Sequence, residues 1–320
     1  MKIELDDKRT LLTAANFSKL INSEMSHIQS PALLKINDFQ RIYFCSRPVS
    51  EKSGDNYTSR IYFVDYNENF TQIVNYSKHP VVELGEIGAF DEHGITPITV
   101  INYRGRTFIY YCGWSRSVSV PYTANIGLVE ATSASYSQFK RIFPGPVISF
   151  DQEEPFLLGS PRVKEFNGIL YMWYVAGKSW NLIDGRPEPT YKIRMATSAD
   201  GIQWRKLNKD LIEDTIDEYE CQAAPEVISL GNGYLMLYSF RSNSRNGSMS
   251  DYQVKLAYSD DLINWQVVSD KNSEDLLPNN MRNTSYYNLV PTEKIFKAIF
   301  QLENMGKDGI GFGLMRVSKD

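Results

Sequence analysis

SPALLKINDFQRIYFCSR, which begins at Ser30, is the first of four similar stretches in this chain of 320 residues. The other three are TPITVINYRGRTFIYYCGW from Thr96, SPRVKEFNGILYMWYVAG from Ser160 and APEVISLGNGYLMLYSFR from Ala224. Each begins with a small residue and a proline and continues as an alternating strand, a turn and an aromatic strand. The prolines, Pro31, Pro97, Pro161 and Pro225, recur at nearly equal intervals, and a fifth copy has Tyr287 in the proline's place one interval further on. The chain is therefore built from five copies of one unit.

A third strand follows in every unit. In units three and four it ends in Ser-x-Asp-x-Ile-x-Trp, so that Trp204 and Trp265 occupy equivalent places one repeat apart. The first two strands are joined by pairs that two-residue hairpin turns favour; these are Arg104-Gly105, Asn167-Gly168 and Asn232-Gly233. Units of about four strands at this period are typical of propeller blades. We predict an all-β fold: a five-bladed β-propeller with four-stranded antiparallel blades around a central channel.

The predicted ring occupies residues 1–320 as a single domain. Its blades begin near residues 26, 91, 155, 219 and 282. We expect a strand around Lys2–Leu5 to close the ring by pairing with the last blade. A short helix is expected between Arg9 and Ser23.

Composition excludes several classes of protein. The 34 Lys and Arg residues against 38 Asp and Glu give a net charge of −4, which supplies no basic surface for nucleic acid. No stretch is apolar over the roughly 18 residues that a membrane span needs. Acidic Glu4, Asp6 and Asp7 would interrupt a secretory signal, so we expect a cytoplasmic protein without a membrane partner. Three widely spaced cysteines and the lack of nucleotide or metal motifs predict no disulfide framework, metal or cofactor, and no pattern indicates the oligomeric state.

Residues just before each proline are expected to line one mouth of the channel, because the innermost strand of a blade begins there. Equal offsets from the proline then compare equivalent positions around the ring. Two of the three histidines, His27 and His93, lie four residues before the proline in neighbouring blades. They are candidates for contact with a substrate, and a pair of hydrogen-bonded packing histidines is the alternative.

Acidic residues precede the same prolines by five to seven positions. Asp91 and Glu92 belong to blade two, Glu154 to blade three and Glu220 to blade four. Glycoside hydrolysis uses two carboxyl groups across a pocket, one to protonate the leaving oxygen and one to act as base or nucleophile. These residues are therefore candidate site groups, and for any one of them a solvated loop carboxylate is the alternative.

A second set of positions lies sixteen residues after the proline, where the second strand returns towards the mouth. Arg47 and Arg241 both occupy it. Arginine binds carboxylates and phosphates through two parallel hydrogen bonds, so an anionic or polyhydroxyl ligand is indicated. Trp114 and Trp180 lie near the same level and are candidates for stacking on a sugar ring, with core packing as the alternative.

Short motifs extend the comparison from about Ser26 to the C-terminus. They are SHIQSP with RIYFCSR, FDEHGITP, YYCGW, VPYTANIGL, GSPRV with YMWYVAG and Trp180, ECQAAPEVI with YLMLYSFR, and GFGL. Together they resemble a group of bacterial glycosidase-like proteins of surface-polysaccharide gene clusters, and FDEHG at 90–94 is the most specific motif. That group is distantly similar to the five-bladed propeller superfamily that contains arabinanases, β-xylosidases, levansucrases and invertases.

The resemblance implies a carbohydrate-active enzyme that cleaves or transfers a glycosidic bond. Glu220 would be the general acid, Asp91 the nucleophile or base, and Glu154 or Glu92 a carboxylate that adjusts a neighbour's pKa through like-charge repulsion. The substrate-binding residues would be His27, Gln29, Arg47, Glu92, His93, Trp114, Trp180 and Arg241. The superfamily has an aspartate in blade one where this chain has His27 and Gln29. A non-catalytic carbohydrate-binding propeller is therefore the alternative.

Overall fold

The computed structural model describes residues 2–53, 57–243, 252–268, 281, 284–293 and 295–318. Their strands form five sheets of four strands each, and every pairing within a sheet is antiparallel. The predicted all-β, five-bladed propeller is confirmed.

The strands follow one another blade by blade along the chain. The N-terminal elements are β1 (Lys2–Leu12) and α1 (Ala14–Ile21). Blade one contains β2 (Met25–Ile36), β3 (Phe39–Pro48), β4 (Arg60–Asn67) and β5 (Ile73–Tyr76). Blade two contains β6 (Gly94–Tyr103), β7 (Arg106–Arg116), β8 (Tyr122–Ala131) and β9 (Phe139–Arg141). Blade three contains β10 (Leu158–Phe166), β11 (Ile169–Ile183), β12 (Arg186–Ser198) and β13 (Arg205–Lys206).

The last two blades complete the ring. Blade four contains β14 (Glu220–Leu230), β15 (Gly233–Ser242), β16 (Gln253–Ser259) and β17 (Gln266–Val267). Blade five contains β18 (Ser285–Pro291), β19 (Phe296–Gln301), β20 (Ile310–Ser318) and, as its outermost strand, β1. Single 3-10 turns lie at Val49–Glu51 and Asn304–Gly306.

The N-terminal strand closes the ring. β1 pairs antiparallel with β20, from Lys2 opposite Ser318 to Leu12 opposite Ile310. The expected closure is confirmed, and the strand extends seven residues beyond the expected Leu5.

The helix expected between residues 9 and 23 is α1. The side-chain oxygen of Thr13 caps its first turn, and Asn22 ends it in the left-handed conformation. Phe17 is fully buried and meets Phe44 edge to face at 4.9 Å. The helix therefore packs on blade one.

Two of the three predicted hairpin turns are confirmed and one is displaced by a residue. Arg104-Gly105 and Asn167-Gly168 have positive φ at both positions, as the mirror-image two-residue turn requires. In blade four Leu230 pairs with Gly233, so the turn is Gly231-Asn232 and the predicted Asn232-Gly233 is wrong. Gly231 has a φ of 61°, and a glycine at the first turn position favours the other type of two-residue hairpin turn.

A bulge interrupts the innermost strand of four blades directly before the proline position. The residue there has a φ between 48° and 54°, and the pairing register shifts across it. These residues are Ser30, Ser160, Ala224 and Tyr286. Left-handed backbone is unfavourable for residues other than glycine, so its repetition marks a requirement of the blade geometry. Side chains on the two sides of the bulge do not follow one continuous alternation.

Arg162 directly follows Pro161, lies at the axis of the ring and is 3% exposed. Its guanidinium donates four hydrogen bonds of 2.9 to 3.3 Å. The acceptors are the carbonyl oxygens of Ile98, Pro225 and Tyr287 and the side chain of Asn288. Glu226 lies 3.1 Å away as the counter-ion, and the Asn288 amide donates to the carbonyl oxygen of Pro31. We call Arg162, Glu226 and Asn288 the axial layer, because they join all five blades.

Neighbouring blades are also joined by buried polar groups. The hydroxyl of Tyr43 in blade one donates to the carbonyl oxygen of Tyr136 in blade two at 2.6 Å. The hydroxyl of Tyr110 in blade two donates to the carbonyl oxygen of Gly201 in blade three, also at 2.6 Å. In the part of the chain that the structure describes, no helix is long and apolar enough to cross a membrane. Within the same residues no three His, Cys, Asp or Glu side chains lie close enough together to hold a metal ion.

Candidate functional site

Four tyrosines meet around Arg241 at the mouth of the ring, where the innermost strands begin. Tyr122 comes from blade two, Tyr191 from blade three, Tyr252 and Arg241 from blade four, and Tyr286 from blade five. The hydroxyls of Tyr191 and Tyr252 are hydrogen-bonded, and the guanidinium carbon of Arg241 lies 5.1 Å from the centre of the Tyr252 ring. Tyr122 and Tyr286 pack against the same group of side chains, which contains Tyr191 and Tyr252. We call these five residues the axial tyrosine cluster.

The cluster is polar and only partly accessible. The hydroxyl of Ser160 in blade three lies 3.4 Å from that of Tyr286 in blade five, so the contact crosses the axis. Tyr122 and Tyr286 are half-buried, and the other three members are buried. Burial raises the pKa of all four phenols, so they remain neutral at physiological pH. Each hydroxyl can therefore both donate and accept a hydrogen bond.

Two tryptophans flank the cluster. Trp114 donates from Nε1 to the hydroxyl of Ser59 at 2.8 Å, and its indole stacks on His93 with the ring centres 6.2 Å apart. Trp180 projects from the long β11–β12 hairpin and meets Tyr122 edge to face at 5.6 Å. Both indoles are half-buried, so each keeps part of its surface accessible.

Basic side chains gather on the blade-one side of the mouth. His27 and Arg47 are cross-strand neighbours, since the Ser26 hydroxyl lies 2.6 Å from His27 Nδ1 and 3.3 Å from the Arg47 carbonyl oxygen. Lys307 belongs to the loop after β19, and Gln29 in β2 donates a hydrogen bond to a backbone carbonyl of that loop. Burial, and then repulsion from Arg47 and Lys307, lowers the pKa of His27 to about 4. We call His27, Arg47 and Lys307 the basic cluster.

The lowered pKa of His27 makes stability depend on pH. A histidine in the unfolded chain has a pKa near 6.5, so between about pH 6.5 and 4 the unfolded state binds a proton that the folded state does not. The free energy of unfolding should fall as the pH drops through this window, by about 1–2 kcal/mol after allowance for solvent screening. Urea unfolding at pH 7 and pH 4.5 measures the difference. His27→Asn should reduce it, exposed His79→Asn should not, and equal differences in the two variants would contradict this account.

Asp91 lies inside blade two. Its side chain is 0% exposed. One carboxylate oxygen accepts hydrogen bonds from the Tyr111 hydroxyl at 2.8 Å and from two Arg141 nitrogens at 2.6 and 2.9 Å. Tyr111 is in the second strand of the blade and Arg141 in its outermost strand. Asp91 therefore fastens the segment before β6 to its own blade.

Glu154 has the same kind of environment in blade three and is also 0% exposed. The Tyr174 hydroxyl donates to Oε1 at 2.7 Å, and Arg194 lies 3.3 Å from the same oxygen. Lys206 lies 2.6 Å from Oε2. The tyrosine again comes from the second strand, and the cations come from the third and fourth.

Glu220 is the first residue of β14 and is equally buried. One oxygen accepts hydrogen bonds from the backbone N–H groups of Thr215 and Ile216, at 2.8 and 2.9 Å. The other accepts from the Gln222 amide at 3.0 Å. The carboxylate thus holds the loop that leads into blade four.

The structure does not bring the three predicted catalytic carboxylates to a common surface. Among the described residues, no hydrogen bond or ion pair joins any two of Asp91, Glu154 and Glu220. A carboxyl group that is fully enclosed reaches a glycosidic oxygen only if its blade rearranges. Their assignment as acid, nucleophile and pKa-adjusting group stays a prediction.

The predicted binding residues lie nearer the mouth, although their binding role stays a prediction too. They are His27, Gln29, Arg47, Glu92, His93, Trp114, Trp180 and Arg241. Glu92 is half-buried, with one oxygen 3.9 Å from His93 Nε2 and the other accepting from the Gly88 N–H. His93 Nδ1 accepts a long hydrogen bond of 3.4 Å from the Arg116 N–H. This carboxylate therefore contacts a mouth residue, unlike the three buried ones.

Sequence reasoning missed most of the axial tyrosine cluster. Tyr191 lies within the third strand of blade three, and Tyr252 directly precedes the third strand of blade four. They lie one repeat apart, as Trp204 and Trp265 do. A comparison of equivalent third-strand positions, made in the same way as for the prolines, would have identified both tyrosines. No repeated pattern in the sequence indicates Lys307, because its loop is positioned by its contact with β2.

Sequence comparison finds relatives that carry no assigned activity. No family model matches the chain. Over 241 residues it is 27% identical to the uncharacterized proteins Rv1502 and MT1551 of Mycobacterium tuberculosis strains H37Rv and CDC 1551, and each alignment covers 75% of this chain and 75% of the relative.

In fold the chain resembles carbohydrate-active propellers. BT0996 in its complex with RGII gives a TM-score of 0.67 at 15% identity, covering 92% of this chain and 88% of that one. The GH32 β-fructofuranosidase BmSUC1 of Bombyx mori gives 0.62 at 14% identity, covering 92% and 59%. Zg3597, a family 117 glycoside hydrolase of Zobellia galactanivorans, gives 0.61 at 11% identity, covering 99% and 92%. The predicted resemblance to five-bladed glycosidase propellers is confirmed at the level of the fold.

Proposed function

We propose that this chain is a carbohydrate-recognition propeller that binds a saccharide at the mouth of the ring. The observation that carries the proposal is the axial tyrosine cluster, in which side chains from three further blades meet Arg241 and Tyr252. Trp114 and Trp180 stand beside it. The predicted carboxylate pair does not carry the proposal, because its members are enclosed in separate blades.

The chemistry of the cluster suits a sugar. A pyranose presents hydroxyl groups at its edge and C–H bonds on its faces. Neutral phenols and a guanidinium satisfy the hydroxyls as donors and acceptors, and a half-buried indole offers a flat apolar surface with a polar edge. Binding sites of this kind combine aromatic walls with a few placed polar groups.

Structural neighbours support the same class of ligand. The BT0996 structure is a complex with RGII, and the other two neighbours named above are a β-fructofuranosidase and a glycoside hydrolase. The identities of 11 to 15% do not transfer a substrate. The three neighbouring structures support a glycan as the first class of ligand to test.

Trp180→Ala should weaken saccharide binding about tenfold or more, because the lost stacking is worth roughly 1–2 kcal/mol. Binding is measured by calorimetric titration with RGII fragments and a panel of neutral and acidic oligosaccharides. Trp204→Ala is the matched control, since this half-buried tryptophan packs against Tyr110 at the opposite end of the ring. Equal affinities for the two variants, or no binding by the wild type to any glycan, would contradict the proposal.

Hydrolysis or transfer of a glycosidic bond is the second candidate function, and the fold shared with glycoside hydrolases favours it. In that case Glu220 acts as the general acid and Asp91 as nucleophile or base. Glu220→Gln should then abolish turnover of a glycan while its binding persists. Wild-type protein that binds a glycan and never turns it over would leave recognition as the function.

A further inference from the structure

Arg47 is a half-buried arginine at the blade-one side of the mouth. Among the described residues its side chain makes no hydrogen bond or ion pair, and its Nε is buried with no acceptor. Three buried arginines elsewhere in the ring are paired with carboxylates: Arg41 with Asp65, Arg162 with Glu226 and Arg194 with Asp210. A buried donor left unsatisfied costs roughly 1–3 kcal/mol. An acceptor supplied by a ligand would remove that cost.

Among the neighbours of Arg47, Lys307 adds a positive charge, whereas His27, with a pKa lowered to about 4, is neutral at physiological pH. The Ser26 hydroxyl lies 2.6 Å from His27 Nδ1 and 3.3 Å from the Arg47 carbonyl oxygen, and Lys307 lies close enough to His27 to repel its protonated form. Gly306 lets the loop approach β2 closely, because a Cβ there would lie 2.7 Å from the Ile28 carbonyl oxygen. In the described part of the chain, no carboxylate is hydrogen-bonded or ion-paired with any member of the basic cluster.

The donors of the cluster match an oxyanion. When the Ser26 hydroxyl donates a hydrogen bond to His27 Nδ1, the neutral imidazole carries its proton on Nε2. That N–H group is then available to a ligand. The Arg47 guanidinium offers a planar pair of N–H groups, and the exposed Lys307 offers an ammonium group. Carboxylate, phosphate and sulfate all accept such bonds.

We infer that His27, Arg47 and Lys307 form a subsite for the anionic group of an acidic saccharide. The inference rests on the proposed function, because the sugar ring would lie on the axial tyrosine cluster while its carboxylate, phosphate or sulfate points to blade one. The subsite selects charged sugars over neutral ones. It also explains why an arginine with a buried, unsatisfied donor is retained at the mouth.

Titration with a matched set of sugars tests the selectivity. The probes are glucose, glucuronate, its methyl ester, glucose 6-phosphate and glucose 6-sulfate, at low and high sodium chloride. At least one acidic sugar should bind about tenfold tighter than glucose and the methyl ester, and salt should reduce the difference. The identity of the tightest ligand separates carboxylate from phosphate and sulfate. Equal affinity for acidic and neutral sugars would overturn the subsite.

Variants assign the selectivity to these residues. Arg47→Gln and Lys307→Gln should each reduce the preference for the acidic sugar over the neutral one severalfold. Lys35→Gln, which removes an exposed charge elsewhere on β2, should leave the preference intact. Lys307 is exposed, so its variant serves if Arg47→Gln does not fold. If Lys307→Gln and Arg47→Gln both fold and both still prefer the acidic sugar, the assignment is overturned.

Inorganic anions separate this inference from the proposed function. Phosphate or sulfate alone should raise the melting temperature of the wild type more than sodium chloride of equal ionic strength, and Arg47→Gln or Lys307→Gln should lose the excess. If this occurs and no sugar binds, the anion site is supported and saccharide recognition fails. If neutral sugars bind and neither anions nor acidic sugars show an advantage, saccharide recognition is supported and the subsite fails.

Discussion

Arg162→Met is expected to lower the free energy of unfolding by about 3–5 kcal/mol, the cost of removing one partner from a buried ion pair. The substitution leaves Glu226 with Lys164 as its remaining cation and removes the donor from three backbone carbonyls and from Asn288. All of these groups are at the axis, where the blades meet. Chemical unfolding at neutral pH gives the difference directly.

Two further variants show that the effect belongs to the axial layer. Arg205→Met removes an exposed arginine from the same blade and should change stability by less than about 0.5 kcal/mol. Arg162→Met combined with Glu226→Met should cost less than the sum of the single changes, because the two side chains form one buried ion pair whose loss is then counted once. A loss below about 1 kcal/mol for Arg162→Met would show that the axial layer does not hold the ring together.

Glu154→Gln is expected to cost about 2–3 kcal/mol of stability, because Arg194 and Lys206 lose a buried charged partner and keep only Asp210 and Asp151. The melting temperature should fall by several degrees. Saccharide binding by the remaining folded protein should be unchanged. Thermal unfolding and calorimetric titration provide the two measurements.

Glu153→Gln is the matched control, since its exposed carboxylate is the preceding side chain in the same loop. It should leave the melting temperature within about a degree of the wild type. A catalytic Glu154 would produce the opposite pattern. Lost glycan turnover with unchanged stability in Glu154→Gln would favour the enzyme and contradict a role inside the blade.

The fold was predictable because its signals are local and repeated. A proline near the start of four innermost strands and a glycine in the first hairpin turn of three blades recur at almost constant spacing. Ring closure by the N-terminal strand was predicted from geometry, because the two ends of the chain must meet in a closed ring. The blade-four turn was misplaced because Gly231 and Gly233 flank Asn232, and only the pairing of Leu230 with Gly233 decides between the two turns.

The site was less predictable than the fold. The distance in sequence from the repeated proline predicts how far along the ring axis a residue lies. It does not predict the direction in which the side chain points. Asp91 and Glu154 lie in segments before the innermost strand, where no two-residue alternation applies. Their direction is set by partners such as Arg141 and Lys206, which lie in the outermost strands of the same blades and far along the chain. The bulges before the proline positions also break the alternation in the strands themselves.

Closure by β1 has a consequence for the order of folding. β1 is synthesised almost a whole chain length before its partner β20, so this pairing has the longest sequence separation within the sheets. Until β20 emerges, β1 has no strand with which to pair, and until β1 docks, β20 presents an open edge to other chains. Blades one to four contain all their strands in one stretch of chain and can assemble as they emerge. Blade five must wait for the two ends to meet, which makes it the last step in assembly and the point at which a misfolded ring would aggregate.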